Sequence, residues 1–321
     1  MSIPTQTITP PGSPGISLLE HVNINVPTDS PSLSFYTEKL NLPLDTRKSF
    51  NIPVFGSKTI WANCGASQIH LPTGPTGQKF RGRIGLLTSG PITPYLPHSI
   101  SSTDTSCILQ SPEGQEFHLR KSPEYKIDLL TYRGTMWSSN QNLTPEDTTD
   151  PVNLSKEYGK YEPESDSGGI IGLDYVQSSV PPSTLPKILK FYENIFGSTT
   201  FQTEDNKGIV AIGGVTENGE CIQNIVFEEN EKVEEYDGHH LAIYVASGVS
   251  GFTEVFNRAK DLGVVWVNPR FSDKADTLEK ALECMQFRFK DIKDVDTGEV
   301  LYELEHEVRC SEHKDNRSDL D

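Results

Sequence analysis

Residues Leu19–Pro27 read LEHVNINVP, and residues Leu173–Pro181 read LDYVQSSVP. Both read as β-strands, and each is followed by a Phe-Tyr pair, Phe35-Tyr36 and Phe191-Tyr192. Self-similarity over such a distance marks one supersecondary unit used more than once. Strand side chains alternate, so Val22, Ile24 and Val26 share one face and His21, Asn23 and Asn25 share the other. An apolar back with a His-Asn-Asn front either lines a wet cavity or faces solvent. The pattern alone leaves both open.

The same unit can be followed outward from these strands. Ser30-Pro31 predicts a helix start, and Leu33, Tyr36 and Leu40 fall on one helical face. Short strands near 46–50, 59–63 and 67–72 complete a β-α-β-β-β unit. A second unit opens with GRIGLLT (82–88). Its helix position, ITPYLPHSI, carries Pro94 and Pro97, so the helix is short or missing. Strands at 105–110 and 115–120 close it. The third unit opens with LDYVQSSVP and continues into a helix over 183–196, with Leu185, Leu189, Tyr192 and Phe196 inward and Gly197 as its stop. Its strands fall near 200–203, 208–213 and 221–227. The fourth opens with HHLAIYV, has a helix over 251–262, and has strands at 264–268, 285–291 and 300–308. The fold class is α+β, with four βαβββ units paired two and two. Residues 1–15 read as a disordered tail, 16–125 as the first pair with a truncated second unit, and 126–167 as a linker. Residues 168–310 read as the second pair and 311–321 as a second disordered tail.

A chain of 321 residues has room for two domains. Its net charge of −17 argues against nucleic-acid and anionic-membrane partners, which need basic patches. No apolar stretch approaches bilayer length, and the N-terminus lacks the pattern of a secretory signal. Cys64, Cys107, Cys221, Cys284 and Cys310 are scattered and odd in number, which favours reduced thiols in a cytoplasmic protein. A small molecule is the expected partner, with the chain as monomer or homodimer.

LEHVNINVP with FYTEKLNLPL, GRIGLLT with SPEGQEFHLR, HHLAIYV, and DTGEVLYELEHE together resemble the vicinal oxygen chelate superfamily of glyoxalases, bleomycin-resistance proteins and extradiol dioxygenases. The resemblance implies two cupped-sheet, glyoxalase-like domains. It also implies a divalent metal (zinc, iron, nickel or manganese) held by the first and last strands of the units. Carried over residue by residue, the first pair offers His21, His70 and His118 as metal ligands, while Arg83 cannot ligate a cation. The second pair offers Tyr175, Ile225, His240 and Glu303, of which Ile225 cannot ligate. His240 and Glu303 are then both candidate ligands and candidate catalytic groups. Glu305 shares the face of Glu303, and Gln286, Arg288 and Lys290 alternate with Phe287 and Phe289. With Arg270 nearby, this reads as an anion-binding cavity in which Arg288, Arg270 and Tyr175 bind substrate. The alternative for Arg288 is a counter-ion to Glu303 or Glu305. His306 falls on the opposite face and reads as structural.

Glyoxalase-type isomerisation needs a carboxylate base beside a Lewis acid, yet His70 and His118 stand where the first pair would hold one. Extradiol cleavage uses two histidines and a carboxylate, yet Tyr175 stands where the second histidine would be. The resemblance implies a metal-dependent lyase, isomerase or dioxygenase acting on a small oxygen-rich substrate chelated to the metal. The alternatives are a metal-free small-molecule binding protein on the same fold, and a first pair that serves only structure or dimerisation.

Overall fold

The computed structural model describes residues 14–27, 31–42, 59–65, 67–123, 169–215 and 221–313. The cap at Ser30, the strand expected near 46–50, the linker, most of the N-terminal tail and the end of the C-terminal tail lie outside the described residues. The chain divides into two compact units: an N-terminal unit, Glu20–Val176, and a C-terminal unit, Gln177–Asp321 together with Met1–Leu19.

The N-terminal unit takes in residues 20–23 of β1 (Ile16–Asn23), β2 (Val26–Pro27), a helical turn α1 (Ser32–Ser34) that widens into a π-turn over Phe35–Lys39, β3 (Ile60–Cys64), β4 (Ser67–Leu71) and β5 (Thr73–Gly74). It continues through β6 (Arg83–Thr88), a 3-10 turn (Thr93–His98), β7 (Ser101–Ser102), β8 (Ser106–Gln110), β9 (Glu116–Lys121) and residues 170–176 of β10 (Ile170–Val180). Strands β1-β4-β3 form one sheet order and β10-β6-β9-β8-β7 another. In each, the opening strand runs parallel to the closing one, which requires a crossover between them. Asn23 thereby stands opposite His70, and Gly85 opposite His118. The π-turn brings both Phe35 and Tyr36 inward, each 5.7 Å from the ring of Phe117. Pro94 and Pro97 limit the second crossover to the 3-10 turn, as predicted. Strand β1 is buried along its whole length, with His21 1% and Asn23 4% exposed. These two polar side chains of the opening strand are therefore interior.

The C-terminal unit adds α2 (Leu185–Phe196), β11 (Thr200–Gln202), β12 (Lys207–Val215), β13 (Cys221–Glu229), β14 (His240–Val245) and α3 (Gly248–Asp261). After these come β15 (Val265–Trp266), α4 (Leu278–Cys284), β16 (Gln286–Lys293) and β17 (Val300–Cys310). Helix α2 buries the predicted stripe plus Ile188, Phe191 and Ile195, and Gly197 ends it at φ +65°. Burying each such large apolar side chain contributes about 1.5–3 kcal/mol. Helix α4 is an element the sequence reading omits; Thr277 caps it by accepting a hydrogen bond from the Lys280 amide. Strands β14 and β17 are parallel, with His240 opposite Glu305 and Ala242 opposite Glu307. Along β17, Leu304, His306 and Val308 enter the core while Glu303, Glu305 and Glu307 share the other face. His306 shares a 2.7 Å hydrogen bond with Tyr192 and stacks on Phe289 at 4.3 Å. Burial lowers its pKa to about 3, which fits the structural part predicted for it. Among the described residues no helix is long and apolar enough to cross a membrane.

Candidate functional site

In the N-terminal unit, β1 and β4 bring His21 and His70 ring to ring, with centroids 3.7 Å apart. The Glu20 carboxylate bonds to His21 Nδ1. Ligand atoms of Glu20, His21 and His70 all lie within 4.8 Å of one another, and all three residues are buried. Trp61 stacks on the outer face of His70 at 4.5 Å. Gln68 Oε1 meets His70 Nε2 at 3.0 Å and Gln68 Nε2 donates to Asn63 Oδ1 at 2.7 Å. An amide oxygen accepts, so this contact puts the ring's proton on Nε2 and the lone pair on Nδ1. Two imidazoles and a carboxylate around one point are a donor set that divalent iron, nickel, zinc or manganese accepts, so these residues fit a metal.

In the C-terminal unit, Arg288 is 4% exposed and meets three carboxylates: Asp273 at 2.7 Å, Glu305 at 2.8 Å, and Glu307. Arg309 also donates to Glu307, at 2.6 Å, and Asn268 donates to both oxygens of Glu305 at 3.0 and 2.8 Å. Among the described residues, three carboxylates and two guanidiniums make up this network. His240 Nε2 lies 3.5 Å from Glu307 Oε2, and the ring of Phe271 meets the imidazole edge to face at 5.6 Å. Burial lowers the His240 pKa to about 4, although Glu307 and Glu305 pull the other way. The imidazole is therefore neutral near pH 7, the form that ligates a metal or accepts a proton.

Several expected residues stand elsewhere. Glu303 is not brought to His240. Its side chain is 44% exposed and pairs with Lys290 at 2.5 Å, because the β14–β17 register sets His240 opposite Glu305, two residues further on. Glu307 is the carboxylate beside His240. Arg288 is the counter-ion of Glu305, the alternative expected for it, and also of Glu307. Arg270 is exposed, with its guanidinium 5.5 Å over the Phe271 ring. His118 does not join His21 and His70; it stands on β9 and shares a 2.7 Å hydrogen bond with Tyr175 of β10. Ile225 is core, and Arg83 pairs with Glu116 at 2.5 Å. Sequence reasoning omitted Glu20 and Glu307. For Glu307 the signal was the alternation in YELEHE, which puts three glutamates on one face. For Glu20 it was a carboxylate inside an otherwise buried run.

No family model and no curated protein sequence matches the chain. Solved structures do. A "putative dioxygenase" from Bacillus subtilis subsp. subtilis str. 168 is similar at a TM-score of 0.53 and 14% identity, over 92% of this chain and 86% of that one. Glyoxalase I from Zea mays gives 0.49 and 13% over 92% of each chain. A variant of homoprotocatechuate 2,3-dioxygenase from Brevibacterium fuscum gives 0.33 and 11% over 97% of this chain and 77% of that one. The chain has the vicinal oxygen chelate fold. Its architecture is α+β, of the glyoxalase-like kind.

Proposed function

We propose that this chain is a metal-dependent enzyme of the glyoxalase/dioxygenase type, acting on a small substrate that presents neighbouring oxygens. The observation that carries the reading is the buried Glu20–His21–His70 donor set, with ligand atoms within 4.8 Å of one another. A divalent metal there would supply Lewis acidity toward a substrate oxygen. Glu20, His21 and His70 would hold it, and Gln68 and Trp61 fix the plane of His70. His240 and Glu307 form a second donor pair in the C-terminal unit and take the part expected of His240 and Glu303. The five free cysteines favour a reducing compartment, and we place the protein in the cytoplasm as a monomer or homodimer.

Metal analysis of protein purified without chelators is the test. Wild type should carry bound divalent metal, and His21→Ala and His70→Ala should each lose it. A His21→Ala protein with undiminished metal content sinks the assignment. No binding after exposure to zinc, iron, nickel and manganese would favour a metal-free binding protein instead. Oxygen uptake with catechols and consumption of methylglyoxal with glutathione then separate the two reaction types.

A further inference from the structure

The His118–Tyr175 pair is built with more care than a solvent-facing sheet surface requires. Strand β10 pairs with β6 through a register shift between Leu173 and Tyr175, which makes Asp174 an extra residue in the strand. Bulges of this kind re-aim side chains and occur beside functional sites. Here the Asp174 carboxylate, fully buried, takes Arg120 in an ion pair, and the ring of Tyr175 comes to lie over Gly85. A Cβ at position 85 would meet that ring at 2.4 Å, so only glycine leaves room for it. The phenol reaches His118 Nδ1 at 2.7 Å.

Around this pair the sheet face is polar and partly open. Glu116, His118 and Arg120 alternate along β9 with Phe117 and Leu119, which are fully buried on the other side. Arg83 lies on the same face, opposite Glu116. The side chains of Arg83 and Arg120 are 45% and 38% exposed, so a small solute can reach both guanidiniums. Burial pushes the Tyr175 pKa up to about 12, so the phenol stays protonated. Burial and the two guanidiniums hold the His118 pKa below the usual histidine range. With the phenol as donor to Nδ1, the neutral ring carries its proton on Nε2. The face thus offers an N–H donor on the same sheet face as two guanidinium forks.

We propose that Arg83, His118 and Arg120, set in place by Tyr175, form a metal-free subsite for a small organic carboxylate. Two planar oxygens match a guanidinium fork, and the His118 Nε2–H donates to one of them. A single negative charge suits a face whose guanidiniums are already part-neutralised by Glu116 and Asp174 better than a dianion does. This site goes beyond the metal reading and shares no residue with it.

The test uses the full chain, 15N-labelled at histidine and stripped of metal, titrated with acetate, propionate, inorganic phosphate and, as a control, chloride. Acetate or propionate should shift the His118 ring nitrogens saturably. Arg83→Gln should weaken that response about tenfold while the amide spectrum stays folded. Tyr175→Phe keeps the ring over Gly85 and should change which His118 nitrogen is protonated. Absence of any saturable shift, or a shift that Arg83→Gln leaves untouched, overturns the proposal. Binding of phosphate in preference to carboxylate overturns the ligand class. If Arg83→Gln fails to fold, Arg83→Lys serves, since losing the fork should weaken carboxylate binding at unchanged charge.

Discussion

The opening strands β1 and β14 each carry a histidine that is about 1% exposed or less, and the two are kept in different ways. His21 stacks on His70, with Trp61 beyond it, and the Glu20 carboxylate bonds to its ring. His240 sits beside a network of three carboxylates and two guanidiniums, with Phe271 at its edge. The first arrangement is mostly packing and the second mostly charge. One fold position can therefore hold an imidazole by either means. The two should respond differently to loss of a neighbour, to acid and to salt.

The largest difference is expected from Arg288→Met. Removing one partner from a buried ion network leaves carboxylates uncompensated and should lower stability by about 3–5 kcal/mol, read from urea unfolding. A loss below about 1 kcal/mol would break the contrast, because the network would then tolerate its own charge. Acid comes next. His240 and His306 titrate in the folded protein at about 4 and about 3. The unfolded chain binds these protons near pH 6.5, so stability is full above that value and falls as pH drops towards 4, by on the order of 3 kcal/mol for each ring. His240→Gln should shorten that decline, and an unchanged pH profile would remove His240 from it. Trp61→Leu keeps apolar bulk in the aromatic cluster and loses the stack on His70. It should cost about 1 kcal/mol, with no dependence on salt. The smallest effect is expected from Glu303→Gln, which breaks a half-exposed pair worth less than about 1 kcal/mol. Its metal content should equal that of wild type, and a drop would restore Glu303 as a ligand.

Much of the fold was legible because it rests on local pattern. The alternation in LEHVNINVP, the glycine after Phe196 and the prolines at 94 and 97 each act within a few residues. The candidate site was legible only in part, because it depends on register. Glu303, Glu305 and Glu307 look alike in sequence, and only the parallel pairing of β14 with β17 picks out which of them meets His240. The same holds for His118. Its place on a closing strand was readable, but the bulge at Asp174 that gives it Tyr175 as a partner was not. Glu20 was hidden by alternation, which assigns it the face opposite His21 although its carboxylate reaches the ring.

The C-terminal unit includes Met1–Leu19, so it is assembled from both ends of the chain. Leu19 exchanges backbone hydrogen bonds of 2.9 and 3.1 Å with the Gln223 side chain, across 204 residues of sequence. Gly15 accepts from Ala246 and donates to Phe196, and Ser17 donates to Tyr244. During synthesis residues 15–19 must wait until residues 196–246 are made before they find these partners. Closure over such a separation is slow, and a strand kept waiting is open to pairing with a neighbouring molecule. A fragment cut to begin at residue 168 would lack them altogether and show an unpaired strand edge to solvent. Expression of the C-terminal unit thus calls for residues 15–19 along with it, and its yield should depend on keeping nascent chains apart until residue 246 is made.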